Sequence, residues 1–220
     1  MTKVTRNVGA TAVLLAVVVT ASACSGDGDP VGSLADRSVA PAAFPVHPSA
    51  VTRVPPAQLP AIVGDISGNP VGAEFDPADC APQPISPTPA RTVVQTAFGS
   101  ATTPDGLPPA YTTVITRMGD SLDDLGELVR RCGDYRRGEV RIVQRILDGV
   151  PSVSGAKTLG YTRTETAAAG DPVTTVLLVA QRRKIRVYAT ERITGKAATG
   201  DRPTAELVKL LQAVAAEGLR

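Results

Sequence analysis

VTTVLLVAQRRKIRVYATE, residues 173–191, is the stretch whose reading decides the fold. Residues 173–180 are β-branched and apolar without a charge, the composition of a central strand. Residues 184–191 alternate Ile185, Val187 and Ala189 against Arg186 and Tyr188, the period of two that a half-covered strand shows. Only residues 181–183 separate the two, too few for anything but a tight hairpin. Outward from this hairpin the pattern repeats. Residues 157–166 read as a half-exposed strand, and residues 92–98 and 111–117 as β-branched strands parted by the turn chemistry of residues 99–109. Residues 139–147 set Val140, Ile142 and Ile146 against Arg141, Val143 and Arg145, a strand with a helix as the alternative.

Helical spacing marks three other segments. DSLDDLGELVRRC, residues 120–132, places Leu122, Leu125, Leu128, Val129 and Cys132 on one stripe. Ser121 and Asp124 have capping-box spacing, acids lead and Arg130 and Arg131 follow, and Gly133 supplies a stop. Residues 201–218 carry a stripe of Leu207, Leu210, Leu211 and Val214, with Pro203 in the first turn. A short helix is expected to open near Pro55 and Pro56, to be limited or bent by Pro60, and to end through Gly64 and Gly68. Residues 76–89 hold five prolines and read as a loop pinned by Cys80. Strands in succession with helices at the flanks predict an α+β fold, an antiparallel β-sheet covered by helices on one face.

The first residues describe export. Lys3 and Arg6 precede residues 8–20, an uncharged run of 13 residues, then Ala21, Ser22, Ala23 and Cys24. A helix of that length spans about 20 Å against a hydrocarbon core of about 30 Å, so it reads as a signal peptide and not a membrane span. The cut site resembles the bacterial lipobox, with Ala21 where that motif usually has Leu. The resemblance implies a lipoprotein whose Cys24 carries diacylglycerol and palmitate-type acyl chains, held on the outer face of the cell membrane. The expected domains are a signal peptide at 1–23, a lipidated flexible tether at 24–50 and a single extracytoplasmic domain at 51–220. His47, the only histidine, falls between Val46 and Pro48 in the tether and has no partner pattern there.

The formal net charge of +2 comes from 23 basic and 21 acidic residues, and Lys3 and Arg6 would leave with the signal peptide. A balanced mature chain gives no nucleic-acid signal, and no aromatic residues are interleaved with the basic ones as base-stacking platforms. Residues 24–80 are nonetheless acidic and residues 81–220 basic. With Cys24 lipidated, Cys80 and Cys132 can make only one intrachain disulfide, closing a loop worth roughly 4 kcal/mol in the chain-entropy model.

Catalytic patterns are absent from the chain. There is no GxSxG elbow, phosphate loop or GxGxxG, no soft-metal ligand set, and no histidine in the domain to activate a serine. Asp76 and Asp79 flank Pro77 as turn residues, and Asp124 caps a helix. No enzyme activity, cofactor or metal is expected. Arg182, Arg183, Lys184 and Arg186 at the hairpin tip, and Arg130, Arg131, Arg136 and Arg137 around Cys132, read as solvated charge or as a face for an anionic partner.

The stretch Asp76-Pro77-Ala78-Asp79-Cys80, the helix SLDDLGELVRRC, the hairpin TTVLLVAQRRKIRVYAT and the helix AELVKLLQAV resemble an uncharacterised family of mycobacterial lipoproteins. That family is in turn similar to the extracellular sensor domain of the mycobacterial serine/threonine kinase H. The resemblance implies a helix-flanked antiparallel sheet with a cleft; the kinase domain and the second disulfide of that sensor have no counterpart here. Two functions follow as expectations: a non-catalytic, sensor-like envelope module whose cleft takes a lipid, glycan fragment or other apolar ligand, or an interaction protein that docks on an envelope protein or membrane complex. For the first, Val176, Leu178, Leu207 and Leu211 are the expected ligand-binding residues, between residues 173–180 and the last helix.

Overall fold

The structure is a computed structural model that describes residues 33–99, 107–195 and 202–220. The expected signal peptide, Cys24 and the first part of the expected tether lie outside the described residues. The strands are β1 (Thr52–Arg53), β2 (Phe75–Asp76), β3 (Thr92–Phe98), β4 (Ala110–Arg117), β5 (Asp134–Arg137), β6 (Val140–Ile146), β7 (Lys157–Thr166), β8 (Val173–Arg182) and β9 (Ile185–Thr194). They form one sheet in the order β1-β3-β4-β9-β8-β7-β6-β5-β2, antiparallel at every pairing. The helices are α1 (Leu59–Ser67), α2 (Leu122–Arg131) and α3 (Ala205–Gly218). The α+β class, the antiparallel sheet and the single disulfide are as the sequence predicts.

The hairpin at the centre has the expected form. Arg182 faces Ile185, so Arg183 and Lys184 alone make the turn, and Arg183 takes a left-handed φ of 55°. Residues 139–147 are strand and not helix, and their partner β5 at residues 134–137 escapes the sequence reading because Asp-Tyr-Arg-Arg has no apolar alternation. The capping box of α2 forms in full between Ser121 and Asp124. Gly133 does not stop this helix in a left-handed turn; Cys132 is its C-cap and the chain passes directly into β5. Pro60 lies in the first turn of α1 and helps to open it, where a missing N–H costs nothing, and Gly64 lies inside the helix. Thr204 caps α3, so Pro203 precedes that helix.

Helices cover both faces of the sheet, not one. Even-numbered positions of β8 (Val176, Leu178, Ala180) join Val187, Ala189 and Ile115 under α3. Odd-numbered positions (Leu177, Val179) join Val94, Val114 and Tyr188 under α1 and α2. Each face of a central strand is therefore covered, which is why residues 173–180 are apolar throughout. The α3 backbone lies hard against the sheet at Gly218, where a Cβ would come within 2.4 Å of Val187 Cγ1.

The second half of the expected tether is part of the domain. Leu34, Val39 and Phe44 are buried in the α3-side core, and Gln95 clasps the Val39 backbone, its Nε2 donating to the carbonyl at 2.9 Å and its Oε1 accepting from the N–H at 2.6 Å. Residues 33–220 form one compact unit. Gly, Ala and Pro masked three well-spaced apolar anchors. On the opposite face, Cys80 and Cys132 are joined, with Cα atoms 5.6 Å apart, and tie the Pro-rich loop to the end of α2 beside Tyr135 and Ile142.

Candidate functional site

Strand register builds a polar floor. Thr96 faces Thr112, and Thr112 faces Thr190, one row across β3, β4 and β9. The next row runs Phe98, Ala110, Arg192, Thr175 and Arg163. Both rows lie on the α1 side of the sheet. Between them and α1 is a cleft of about 430 Å³. Ile62 and Ile66 of α1 form its roof, and Phe98 and Leu107 its rim, 63% and 54% exposed. The threonine hydroxyls are held in the sheet: Thr96 donates to the Tyr111 carbonyl at 3.2 Å and Thr190 to the Thr112 carbonyl at 3.4 Å. Arg192 pairs with Asp65 of α1 and closes one side of the cleft.

The roof is fixed from its C-terminal end by two arginines. Arg163, 1% exposed, donates to the carbonyls of Asp65 and Ile66 at the end of α1. Arg137 donates to the Gly68 carbonyl at 3.3 Å. Glu165 lies between them, accepting from Arg163 Nε at 3.0 Å and from Arg137 Nη2 at 2.7 Å. Burial alone would raise the Glu165 carboxyl; Arg163, Arg137 and the hydrogen bond outweigh it and hold the group below the usual carboxylate range. Two cations at a helix C-terminus also complement its dipole. Gly68 takes a φ of 79°, and a Cβ there would lie 2.7 Å from Arg163 Nη1, so glycine serves both the turn and the arginine's approach.

A second cavity, of about 300 Å³, lies between α2 and the Cys80 loop and is more polar. Its floor is Tyr161, Tyr188 and Arg186, the last 1% exposed. Arg186 donates to Gln181 Oε1 at 2.7 Å, to the Ser121 carbonyl at 2.9 Å and to Tyr188 at 3.3 Å, and it pairs with Asp120 at 3.1 Å. It therefore binds the start of α2 to the sheet and is no part of a solvated hairpin tip. Burial pushes both phenols up, against the opposing pull of the neighbouring arginines. Among the described residues no group of three or more His, Cys, Asp or Glu is placed to hold a metal ion, and no helix is long and apolar enough to cross a membrane.

The expected ligand-binding residues do not line this cleft. Val176, Leu178, Leu207 and Leu211 meet between the sheet and α3, as their spacing implied, but they are buried against one another in the core and line none of the cavities. Apolar residues of a doubly covered sheet fill its interior, and the cleft under α1 lies where threonines interrupt them. The signal in the sequence was the presence of Thr96, Thr112 and Thr190 at positions of one parity with the apolar Val94, Val114 and Tyr188. Cys80 and Cys132 form the disulfide as expected, while Cys24 lies outside the described residues. His47 is exposed and accepts from Ser49 at the start of a short turn.

No family model matches the chain, and no curated protein matches it. Among solved structures it is similar to an uncharacterised protein of Mycobacterium smegmatis, the Rv0999 ortholog, at 18% identity and a TM-score of 0.44, over 77% of this chain and 86% of the other.

Proposed function

We propose that the chain is an extracytoplasmic lipoprotein, anchored through Cys24, that captures a small amphiphilic ligand in the cleft between α1 and the sheet without transforming it. The observation that carries this reading is the contrast between the two sides of that cleft. Ile62, Ile66, Phe98 and Leu107 offer apolar surface, while Thr96, Thr112, Thr175 and Thr190 offer hydroxyls on a rigid floor. A concave site of a few hundred Å³ with apolar walls and few fixed polar groups suits capture. Among the described residues its lining holds one carboxylate, Asp65, already committed to Arg192, and no histidine, cysteine, lysine or tyrosine. The likeness to the kinase H sensor domain belongs to the same proposal; it rests on the sequence resemblance alone and carries no ligand residue.

The test is native mass spectrometry of the protein recovered from the membranes of its host, from which Cys24→Ala should release it. A co-purifying mass is expected. Ala110→Trp puts an indole into the cleft and should remove that mass while leaving the melting temperature near that of the parent. Leu211→Trp, in the filled core under α3, should instead cost about 1–3 kcal/mol. Retention of the ligand by the Ala110→Trp chain, or absence of any ligand from the parent, would overturn the reading.

A further inference from the structure

The strand ends opposite the cleft gather basic residues. Arg117 N–H donates to the Arg91 carbonyl at 3.1 Å, and the next N–H, of Met118, donates to the Lys184 carbonyl at 2.9 Å. Arg182 faces Ile185 at the same hairpin, and Ile185 faces Arg117. Arg37 joins this pole from the N-terminal segment, donating to the carbonyls of Gly218 and Arg220 at the end of α3. Burial, then the proximity of Arg220, Arg117 and Arg182, lowers its guanidinium. The acids here are largely committed. Asp120 is tied to Arg186, Asp123 to Lys157, Glu217 to Arg220, and Asp124 closes the α2 cap, leaving Asp36. Among the described residues Arg91, Arg182 and Lys184 are exposed and make no ion pair.

The chain enters the domain at this same pole. Leu34 N–H donates to the Ala90 carbonyl at 2.9 Å, beside Arg91. Nine residues lie between Cys24 and Leu34, so the ten steps reach at most about 35 Å when fully extended. The cleft lies at the other end of the strands, because β4 begins at Ala110 in the cleft and ends at Arg117 in the basic pole. At about 3.4 Å per residue its eight residues put roughly 24 Å between them.

We propose that the pole presenting Arg91, Arg182 and Lys184 docks on anionic lipid headgroups, so that the cleft opens away from the bilayer. Each Lys or Arg near an anionic surface adds to the attraction, and basic residues beside a lipid anchor supply a second membrane signal. Docking sets the orientation of the cleft: its ligand arrives from the envelope side and does not slide in from the adjoining leaflet. The charge argument is independent of the anchor; only the placement of the entry point close to the membrane rests on Cys24.

Sedimentation with vesicles tests this without lipidation. The chain from residue 25 onward, which retains every described element, should bind vesicles of phosphatidylcholine mixed equally with phosphatidylglycerol, and far less to phosphatidylcholine alone. Binding should weaken as salt is raised. Arg182→Glu with Lys184→Glu should lower it by about tenfold or more. Arg136→Glu with Arg145→Glu changes net charge equally outside the pole and should lower it by less than about twofold. In the unaltered chain, mixed vesicles should slow acetylation of Lys184 relative to Lys209, a readout that needs no variant to fold. Equal loss in both double variants, equal acetylation, or no preference for the anionic vesicles would overturn the proposal, while release of the full-length protein by Cys24→Ala tests the anchor separately.

Discussion

Glu191 is buried on the α3 face of the sheet, where its carboxylate accepts from the Tyr111 hydroxyl at 3.0 Å and the Thr204 hydroxyl at 3.4 Å. Burial raises its pKa, Glu206 adds to that, and the two hydrogen bonds only partly oppose it. A carboxyl raised on folding contributes stability that is complete below the ordinary value of 4.5 and is lost as pH rises through the folded value. At neutral pH the charged form is therefore held at a cost. Glu191→Gln keeps an acceptor for Tyr111 and a donor for Thr204 without the charge. It should raise the melting temperature at pH 7 by roughly 2–4 °C, the scale of about 1 kcal/mol in a domain of this size. Below the carboxylate range the two chains should melt alike; a lower melting temperature for the variant at neutral pH would show the ionised form to be the better partner. Arg163 and Arg186 show what alternation leaves unread at this scale. It gave the correct parity of Arg186, on the side of Tyr188, but read that side as open. Whether a polar residue faces water or a helix terminus depends on what covers the face, and that is decided by segments distant in the sequence.

At the scale of elements, α1 is held by tertiary partners more than by its own sequence. It has no side-chain N-cap, and its C-terminus is completed by Gly68 together with Arg163 and Arg137. Gly68→Ala should therefore cost more than its backbone conformation alone. The left-handed φ accounts for about 1–2 kcal/mol, and the added Cβ displaces Arg163 Nη1, so a loss of about 2–3 kcal/mol in urea unfolding is expected. Gly72 has nearly the same φ, 78°, with nothing within 4 Å of an added Cβ. Gly72→Ala should thus lose only the backbone part, and equal losses would remove Arg163 from the account. The difference between elements also explains what could be read in advance. The α2 helix carries its capping box, its charge order and its apolar stripe within twelve residues, and β8 and β9 carry theirs in an unbroken hairpin. By contrast, β5 is four polar residues made a strand by β6 and the disulfide beside it, and no local pattern announces it. The cleft was legible only as a class of site: a space between sheet and helix was expected, but its face was not, since the apolar residues chosen for it were the ones the core needed.

The whole molecule begins earlier than its composition suggests. Residues 33–50 have little periodicity, yet Leu34, Val39 and Phe44 seal the α3 face, and Arg53 reaches back to the Ala35 carbonyl. Large-to-small changes at buried positions cost about 2–5 kcal/mol each, and a domain's total stability is about 5–15 kcal/mol. Losing three such side chains at once, with the Gln95 clasp on Val39 left unfilled, should exhaust most of that margin. A chain starting at residue 51 should accordingly lack a cooperative thermal transition and bind hydrophobic dyes, while one starting at residue 33 should melt like the chain from residue 25. Phe44→Ala in the longer chain separates packing from mere length: it removes one anchor without shortening anything and should cost about 3–5 kcal/mol. If the chain from residue 51 melts cooperatively near the parent temperature, residues 33–50 act as the tether that their Gly, Ala and Pro content suggests. For the proposed anchor at Cys24, the distance to the domain would then grow by the length of that segment, and the proposed docking of the basic pole would lose the support of a short connection.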